Sequence, residues 1–215
     1  MKIDWRTVGI FEENSYLVID EASRHAVLVD PGDEAPRIVE MVREAAVTLD
    51  AIWLTHAHLD HIGAVAAVRR AFDVPVFLHP LDLPYYTGLS ARAAEMYGMD
   101  FEQPDGPPRE LAEGDLLECG ALRFRVMHVP GHAPGLVTFN GHGVAFGGDL
   151  LFAGSIGRTD LPLGSATDMD ASLKRFAAEL PDETIVYPGH GPKTTLAREK
   201  QSNPFLTGRA RSLRR

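Results

Sequence analysis

Three histidines and one aspartate crowd six positions of this chain, His56-Ala57-His58-Leu59-Asp60-His61. They directly follow the apolar run 51–54, which is typical of a buried strand. Imidazole and carboxylate groups are common ligands for divalent metals, and loops that follow strands commonly carry functional side chains. The run therefore predicts a metal site at the end of a strand.

The composition narrows the class of protein. The 215 residues, 45% of them hydrophobic and 24% charged, predict one globular domain over 1–207, followed by a frayed basic tail at 208–215. A formal net charge of −9 argues against nucleic acid as the main partner. The single cysteine, Cys119, excludes an intrachain disulfide and thiolate zinc sites. No secretory signal or run of transmembrane length is visible, so we expect a cytoplasmic protein that does not bind membranes.

Short apolar runs alternate with segments of helical spacing. Strands are predicted at 16–19, 26–29, 51–55, 74–78, 122–129, 135–140, 144–147 and 184–187. Helices are predicted at 34–46, 61–72, 166–180 and 194–201, and a further one at 90–97 within an irregular excursion, 80–110. Both halves are β-rich and then helical. This favours an α/β fold, a four-layer αββα sandwich with two sheets face to face and the helices outside.

Further candidate ligands follow other predicted strands. If the strand extends past Thr55, His56 and His58 project to the same face. The remaining candidates lie in glycine-rich turns: His132, Asp149 and His190. With Asp60 and His61 these make seven ligands, more than one catalytic zinc takes. They suit two divalent ions with one bridging carboxylate. Zinc is the first expectation, and the ligand types leave iron and manganese open.

The other histidines are interpreted as structural or surface residues: His25, His79, His128 and His142. For His128 there is an alternative, in which it orients a metal ligand.

In this order the motifs resemble those of the metallo-β-lactamase superfamily, and are most similar to glyoxalase II (hydroxyacylglutathione hydrolase) and its short bacterial relatives. Asp30-Pro31-Gly32 matches an early turn of that superfamily. The resemblance implies an αββα sandwich with the site at one edge of the sheets. It also implies a first metal on His56, His58 and His132, a second on Asp60, His61 and His190, and Asp149 as the bridge. Arg158 matches the place of a substrate-binding lysine.

The implied activity is hydrolysis of a small thioester of the acylglutathione type by a metal-bridging hydroxide, which Asp60 orients. Glyoxalase II also has a basic helical region and an aromatic residue after its last histidine, whereas here Pro192 follows His190 by two positions. One alternative is a persulfide dioxygenase with a single iron on His56, His132 and Asp149. Others are a lactonase or β-lactamase, and a binding module without turnover, which the complete ligand set disfavours.

Overall fold

The first of two large sheets is built from the N-terminal half of the chain. The computed structural model describes residues 1–210, so residues 211–215 of the predicted tail lie outside the described part. The strands, in both chain order and sheet order, are β1 Lys2–Val8, β2 Glu13–Asp20, β3 His25–Val29, β4 Thr48–Trp53, β5 Val76–Leu78 and β6 Arg109–Glu110. Antiparallel pairing joins β1, β2 and β3, whereas β3 to β6 run in parallel. The loops after β3 and β4 therefore leave the sheet at the same edge.

The second sheet comes from the C-terminal half. Its strands are β7 Leu116–Cys119, β8 Leu122–His128, β9 Val137–Gly141, β10 Val144–Gly148, β13 Ile185–Pro188 and β14 Thr194–Thr195. A separate small hairpin is formed by β11 Leu151–Phe152 and β12 Ser155–Ile156. In space the large sheet runs β14-β13-β10-β9-β8-β7, and only β10 and β13 pair in parallel among these described strands.

Helices cover the outer faces of both sheets. They are α1 Ala35–Ala45, α2 Leu59–Ile62, α3 Val65–Phe72, α4 Leu83–Thr87, α5 Leu89–Tyr97, α6 Ala166–Glu179 and α7 Leu196–Ser202, with a 3₁₀ turn at Pro80–Asp82. Helix α6 begins where the Ser165 hydroxyl accepts a hydrogen bond from the Asp168 N–H, a standard N-cap. No helix within residues 1–210 is long and apolar enough to cross a membrane.

Three apolar layers hold the molecule together. One lies between the first sheet and its helices, where Leu28 and Ile38 of α1 belong to the same buried cluster. A second lies between the sheets, where the Trp53 ring packs 5.3 Å from that of Phe139. The third lies between the second sheet and α6. These layers confirm the predicted four-layer αββα sandwich.

Each predicted strand and helix is present with shifted ends, except that the predicted helix 194–201 begins with the short strand β14. Several short elements were not predicted: β6, β7, β11, β12, β14 and α4. Two further differences have a clear physical reason. The edge strand β1 was not predicted, because most of its residues are exposed or half-buried and it lacks an apolar run. The predicted helix 61–72 is two helices, α2 and α3, separated at Gly63 and Ala64. A Cβ at Gly63 would lie 2.3 Å from the Gly32 carbonyl oxygen. The helix is therefore interrupted where the backbone at Gly63 packs closely against the turn at Gly32.

Candidate metal centre

The first half of the histidine motif, His56 and His58, lies on a loop and not on a strand, and Asp60 and His61 lie on the short helix α2. Strand β4 ends at Trp53, so the strand extension that would align His56 with His58 is absent, and the loop brings the two rings together instead. The loop is held instead by Asp30, which follows β3. Its carboxylate accepts hydrogen bonds from the Thr55 backbone N–H at 2.7 Å and from the Thr55 hydroxyl at 2.6 Å. These buried hydrogen bonds hold the loop at the point where the chain leaves the sheet and turns.

Three imidazoles meet in a first group. The ligand atoms of His56, His58 and His132 all lie within 4.8 Å of one another. His132 comes from the loop after β8, and its Nε2 lies 2.7 Å from His58 Nδ1. His56 is fully buried and His132 is nearly so. Three converging nitrogens from two distant loops suit a single divalent ion.

A second group combines one carboxylate with two imidazoles. The ligand atoms of Asp60, His61 and His190 also lie within 4.8 Å of one another. Asp60 and His61 are on the short helix α2, whereas His190 follows β13. The His190 Nε2 lies 3.2 Å from Asp60 Oδ2.

Asp149 lies between the two groups. Its Oδ2 is 3.3 Å from His132 Nε2, and its Oδ1 is 3.4 Å from His61 Nε2. Gly189 permits this approach, since a Cβ there would lie 2.3 Å from Asp149 Oδ1. One carboxylate thus reaches both groups, which is the position a bridging ligand requires.

Hydrogen bonds behind the rings set their orientation. His61 Nδ1 lies 3.1 Å from the Asp30 carboxylate, and His190 Nδ1 lies 2.9 Å from the Phe11 carbonyl oxygen. An N–H donated from Nδ1 to an oxygen leaves Nε2 as the lone-pair nitrogen that faces the centre. Both rings are therefore preset as ligands.

The buried polar atoms at the centre fit a cation. Among residues 1–210, His56 Nε2, His61 Nε2 and Asp149 Oδ1 are buried without a hydrogen-bond partner. Buried polar atoms are almost always paired, because an unpaired one costs about 1–3 kcal/mol. Divalent ions would satisfy these atoms, and the mixed imidazole and carboxylate set suits zinc, iron or manganese.

Burial keeps two rings of the first group, His56 and His58, neutral. It lowers the pKa of His56 well below the usual range, and it lowers the pKa of His58 to about 3, with His132 adding to the effect. Neutral imidazole is the form that binds metals, so these rings need lose no proton first.

The carboxylates make the rest of the centre attractive to positive charge. Burial alone would raise the pKa values of Asp60 and Asp149, but His61 and its neighbours hold both below the ordinary value. Burial also opposes a charge on His61, yet Asp60 and Asp149 raise its pKa well above the usual range. A bound metal cation would take the place of the positive charge that a protonated His61 otherwise provides beside these carboxylates.

Arg158 is near the centre but already paired. Its carbonyl oxygen lies 2.8 Å from His132 Nδ1, so the backbone of this residue orients a candidate ligand. Its guanidinium donates two hydrogen bonds to Asp160, at 2.7 and 2.8 Å. The side chain is mostly exposed, at 63%.

A cavity of about 770 Å³ opens onto both groups. His58, Asp60, His132, Asp149 and His190 line it, and Arg158 stands on its wall. Much of the remaining lining is aromatic or aliphatic, including Phe11, Tyr85, Tyr97, Phe152 and Leu163. Such a cavity accepts a small molecule with an apolar body.

Sequence reasoning missed one residue that shapes the centre. Asp82 is fully buried, and its carboxylate accepts hydrogen bonds from the Ala57 N–H at 2.9 Å and the Gly135 N–H at 2.6 Å. It therefore ties the loop of His56 and His58 to the loop of His132. No sequence signal marks it, because both partners are backbone groups. Asp30 was noted only as part of a turn.

The four remaining histidines have other partners. His25 pairs with Asp50, and His142 accepts a hydrogen bond from the Arg123 N–H. The His79 and His128 rings stack at 4.1 Å, and His128 Nε2 lies 2.8 Å from the Pro134 carbonyl oxygen. These contacts agree with the interpretation of the four histidines as structural or surface residues. His128 contacts the backbone of the His132 loop and not a candidate ligand.

Two packed sheets with a histidine and aspartate centre at their edge define an αββα metalloprotein. The chain belongs to the metallo-beta-lactamase superfamily, whose family model matches residues 8–190. Hydroxyacylglutathione hydrolase GloC of Haemophilus influenzae is 36% identical to it over 214 residues, covering 98% of this chain and 100% of that protein. The relatives place the chain among the metallo-hydrolases of this superfamily.

Solved structures agree with this placement. The crystal structure of BLEG-1 B3 metallo-beta-lactamase has a TM-score of 0.89 at 38% identity, covering 96% of this chain and 100% of that one. TTHA1623 in a di-iron-bound form has a TM-score of 0.87 at 47% identity, covering 94% and 100%. ETHE1 from Myxococcus xanthus has a TM-score of 0.80 at 32% identity, covering 97% and 85%.

Proposed function

We propose that this protein is a metal-dependent hydrolase that cleaves a small thioester of the acylglutathione type. The observation that carries the proposal is the position of Asp149 within reach of both ligand groups. The full-length similarity to a hydroxyacylglutathione hydrolase supports the substrate class.

Two divalent ions occupy the centre in this proposal. His56, His58 and His132 hold the first, Asp60, His61 and His190 hold the second, and Asp149 contacts both. The unpaired buried atoms support this assignment. Zinc is the first expectation, whereas the di-iron form of TTHA1623 favours iron as the alternative.

Bound divalent ions supply hydroxide near neutral pH and polarise a carbonyl group. Asp60 orients the attacking water, since its carboxylate is partly exposed and faces the cavity. His56, His132 and Asp149 are buried and give the centre a fixed geometry. A thiolate departs without needing a proton, so thioester cleavage requires no separate acid from the cavity wall.

Arg158 contacts an anionic part of the substrate in this scheme. Asp160 already accepts from Nε and Nη2 and offsets much of the positive charge, so the substrate has to share this guanidinium with that carboxylate. We therefore expect the contribution of Arg158 to be modest.

Two further activities are kept as alternatives. One is the persulfide dioxygenase that the sequence left open, with a single iron on His56, His132 and Asp149, and the di-iron-bound form of TTHA1623 supports iron as the metal. The other is a hydrolase of lactam or lactone rings, which the similarity to BLEG-1 B3 metallo-beta-lactamase supports.

One experiment separates these candidates. Protein purified without added metal is analysed for bound metal and assayed for thioester cleavage, for oxygen uptake with glutathione persulfide, and for β-lactam and lactone hydrolysis. Two metal equivalents with thioester cleavage are the expected result. One iron with oxygen uptake, or ring hydrolysis alone, would overturn the proposal.

A further inference from the structure

One wall of the cavity comes from the excursion that joins the two sheets. Helices α4 and α5 contribute Tyr85, Arg92, Glu95, Met96 and Tyr97 to the lining. Among these, Arg92 is the only positively charged residue. It is therefore the residue of this wall that can attract an anionic substrate group toward the two ligand groups.

The Arg92 side chain is held in place by neutral groups. Its guanidinium carbon lies 4.1 Å from the centre of the Tyr85 ring, and Nη2 donates a hydrogen bond to the Pro84 carbonyl oxygen at 3.0 Å. Stacking on an aromatic face fixes the plane of a guanidinium without removing its charge.

Much of the donor capacity of Arg92 is unused. Within residues 1–210 no carboxylate oxygen lies within salt-bridge distance of it, whereas Arg158 on the same cavity is paired with Asp160. A guanidinium carries several N–H donors in one plane and binds carboxylates in a bidentate manner. Arg92 is thus a fixed, half-buried cation with free donors that line the cavity.

Tyr85 connects this cation to the metal centre. The ring that supports Arg92 also makes an edge contact with His58, with ring centres 5.2 Å apart. The Tyr85 hydroxyl donates to the Pro162 carbonyl oxygen on the opposite side, which fixes the ring. A single aromatic ring therefore separates Arg92 from a ligand of the first group.

One neighbouring charge opposes this role. Glu95 lies three residues along α5 and lines the same cavity. The two side chains form no ion pair in the described structure. Glu95 therefore weakens the binding of an anion at Arg92 but does not neutralise the guanidinium.

We propose that Arg92 forms a carboxylate-binding subsite that selects thioesters with an anionic group close to the reacting carbonyl. This inference rests on the proposed thioesterase function for its substrate. The carboxylate belongs either to the acyl group or to the thiol, and both sources offer the same two oxygens to the guanidinium.

The test compares acids with their methyl esters. Wild type and Arg92→Met are assayed on S-acetyl-3-mercaptopropionate and on the glutaryl thioester of N-acetylcysteamine, each beside its methyl ester. We expect Arg92→Met to lower kcat/KM about tenfold for one or both acids and less than about twofold for the esters. The acid that responds identifies the side of the substrate that carries the anion.

Matched controls keep a general loss of fold apart from the loss of a charge contact. Arg109 also places its guanidinium over an aromatic ring, 5.5 Å from the centre of Phe77, but it does not line the cavity. Arg109→Met should leave the preference for acid over ester unchanged, and Arg92→Lys should restore part of it. Equal effects of Arg92→Met on acids and esters, or no effect on either, would refute the subsite.

A binding measurement separates this inference from the proposed function. Calorimetry on metal-loaded protein compares glutarate with monomethyl glutarate, and Arg92→Met should remove about a tenfold preference for glutarate. If no thioester is cleaved but this preference depends on Arg92, the proposed function fails and the subsite stands. If thioesters are cleaved and the preference is absent or independent of Arg92, the subsite fails alone.

Discussion

The metal-binding loops and the α4–α5 wall face the same cavity but are held very differently. Side chains of the centre such as His56, His61 and Asp149 are buried. They are fixed by neighbours from distant parts of the chain, as Asp30 fixes His61. On the wall, Met96 and Tyr97 are 49% and 44% exposed. Fewer contacts therefore determine their conformations.

This difference separates two tasks. Ligand geometry must be set within a fraction of an ångström, which buried hydrogen bonds from several segments achieve. Substrate selection needs only a suitable surface, and a partly exposed wall can change its side chains without disturbing the ligands. We therefore expect substitutions in the centre to act on metal and turnover, and those on the wall to act on substrate preference.

The largest effect should come from Asp149→Ala. It removes the carboxylate that reaches both groups, so we expect loss of metal loading and a fall in turnover of more than about a thousandfold. Metal analysis and kinetics provide the measurement. Asp170→Ala, which removes an exposed partner of Lys174, should change neither quantity. Full activity in Asp149→Ala would contradict the assigned centre.

The second largest effect should be a loss of stability when metal is removed. His56 Nε2 and Asp149 Oδ1 are buried without partners in residues 1–210, so the ions satisfy atoms that otherwise cost free energy. With metal at a thousand times its Kd the loss is about 4 kcal/mol. For a protein of this size that corresponds to a fall in Tm of roughly 10 °C. An unchanged Tm after chelation, with metal loss verified by analysis, would disprove this coupling.

Asp82→Asn should have an intermediate effect, since Asp82 lies where the two regions meet. The amide keeps one acceptor and turns a donor toward a backbone N–H, so either Ala57 or Gly135 loses its partner. We expect a loss of about 2 kcal/mol in the free energy of unfolding and about tenfold weaker binding of the first metal.

Denaturant unfolding and metal titration measure these two quantities. Asp50→Asn is the matched control, because Asp50 pairs with the half-exposed His25 away from the centre. It should cost less than about 1 kcal/mol and leave metal binding unchanged. Equal metal affinity in Asp82→Asn and wild type would show that the two loops hold their positions without this tie.

The same contrast explains what the sequence revealed. The candidate ligands stand out in the sequence because imidazoles and carboxylates cluster in loops after strands, although a loop and not an extended strand brings His56 and His58 together. Asp82 was not predictable, since its partners are backbone N–H groups 25 and 53 positions away. Arg92 was missed because its role depends on how two short helices fold over the cavity, which local periodicity does not specify.

The smallest effect should come from Tyr97→Leu on the wall. The Tyr97 ring meets the edge of Phe11 at 5.4 Å, and such contacts contribute about 1 kcal/mol. We expect a loss of that size in the free energy of unfolding, a change in KM of up to about fivefold, and unchanged metal content. The Phe11 carbonyl that orients His190 is a backbone group and stays in place. Phe11→Leu should reproduce the effect, and the double variant should add little, because both substitutions remove one contact. If metal content falls in Tyr97→Leu, the wall and the centre are coupled and their separation into two tasks is wrong.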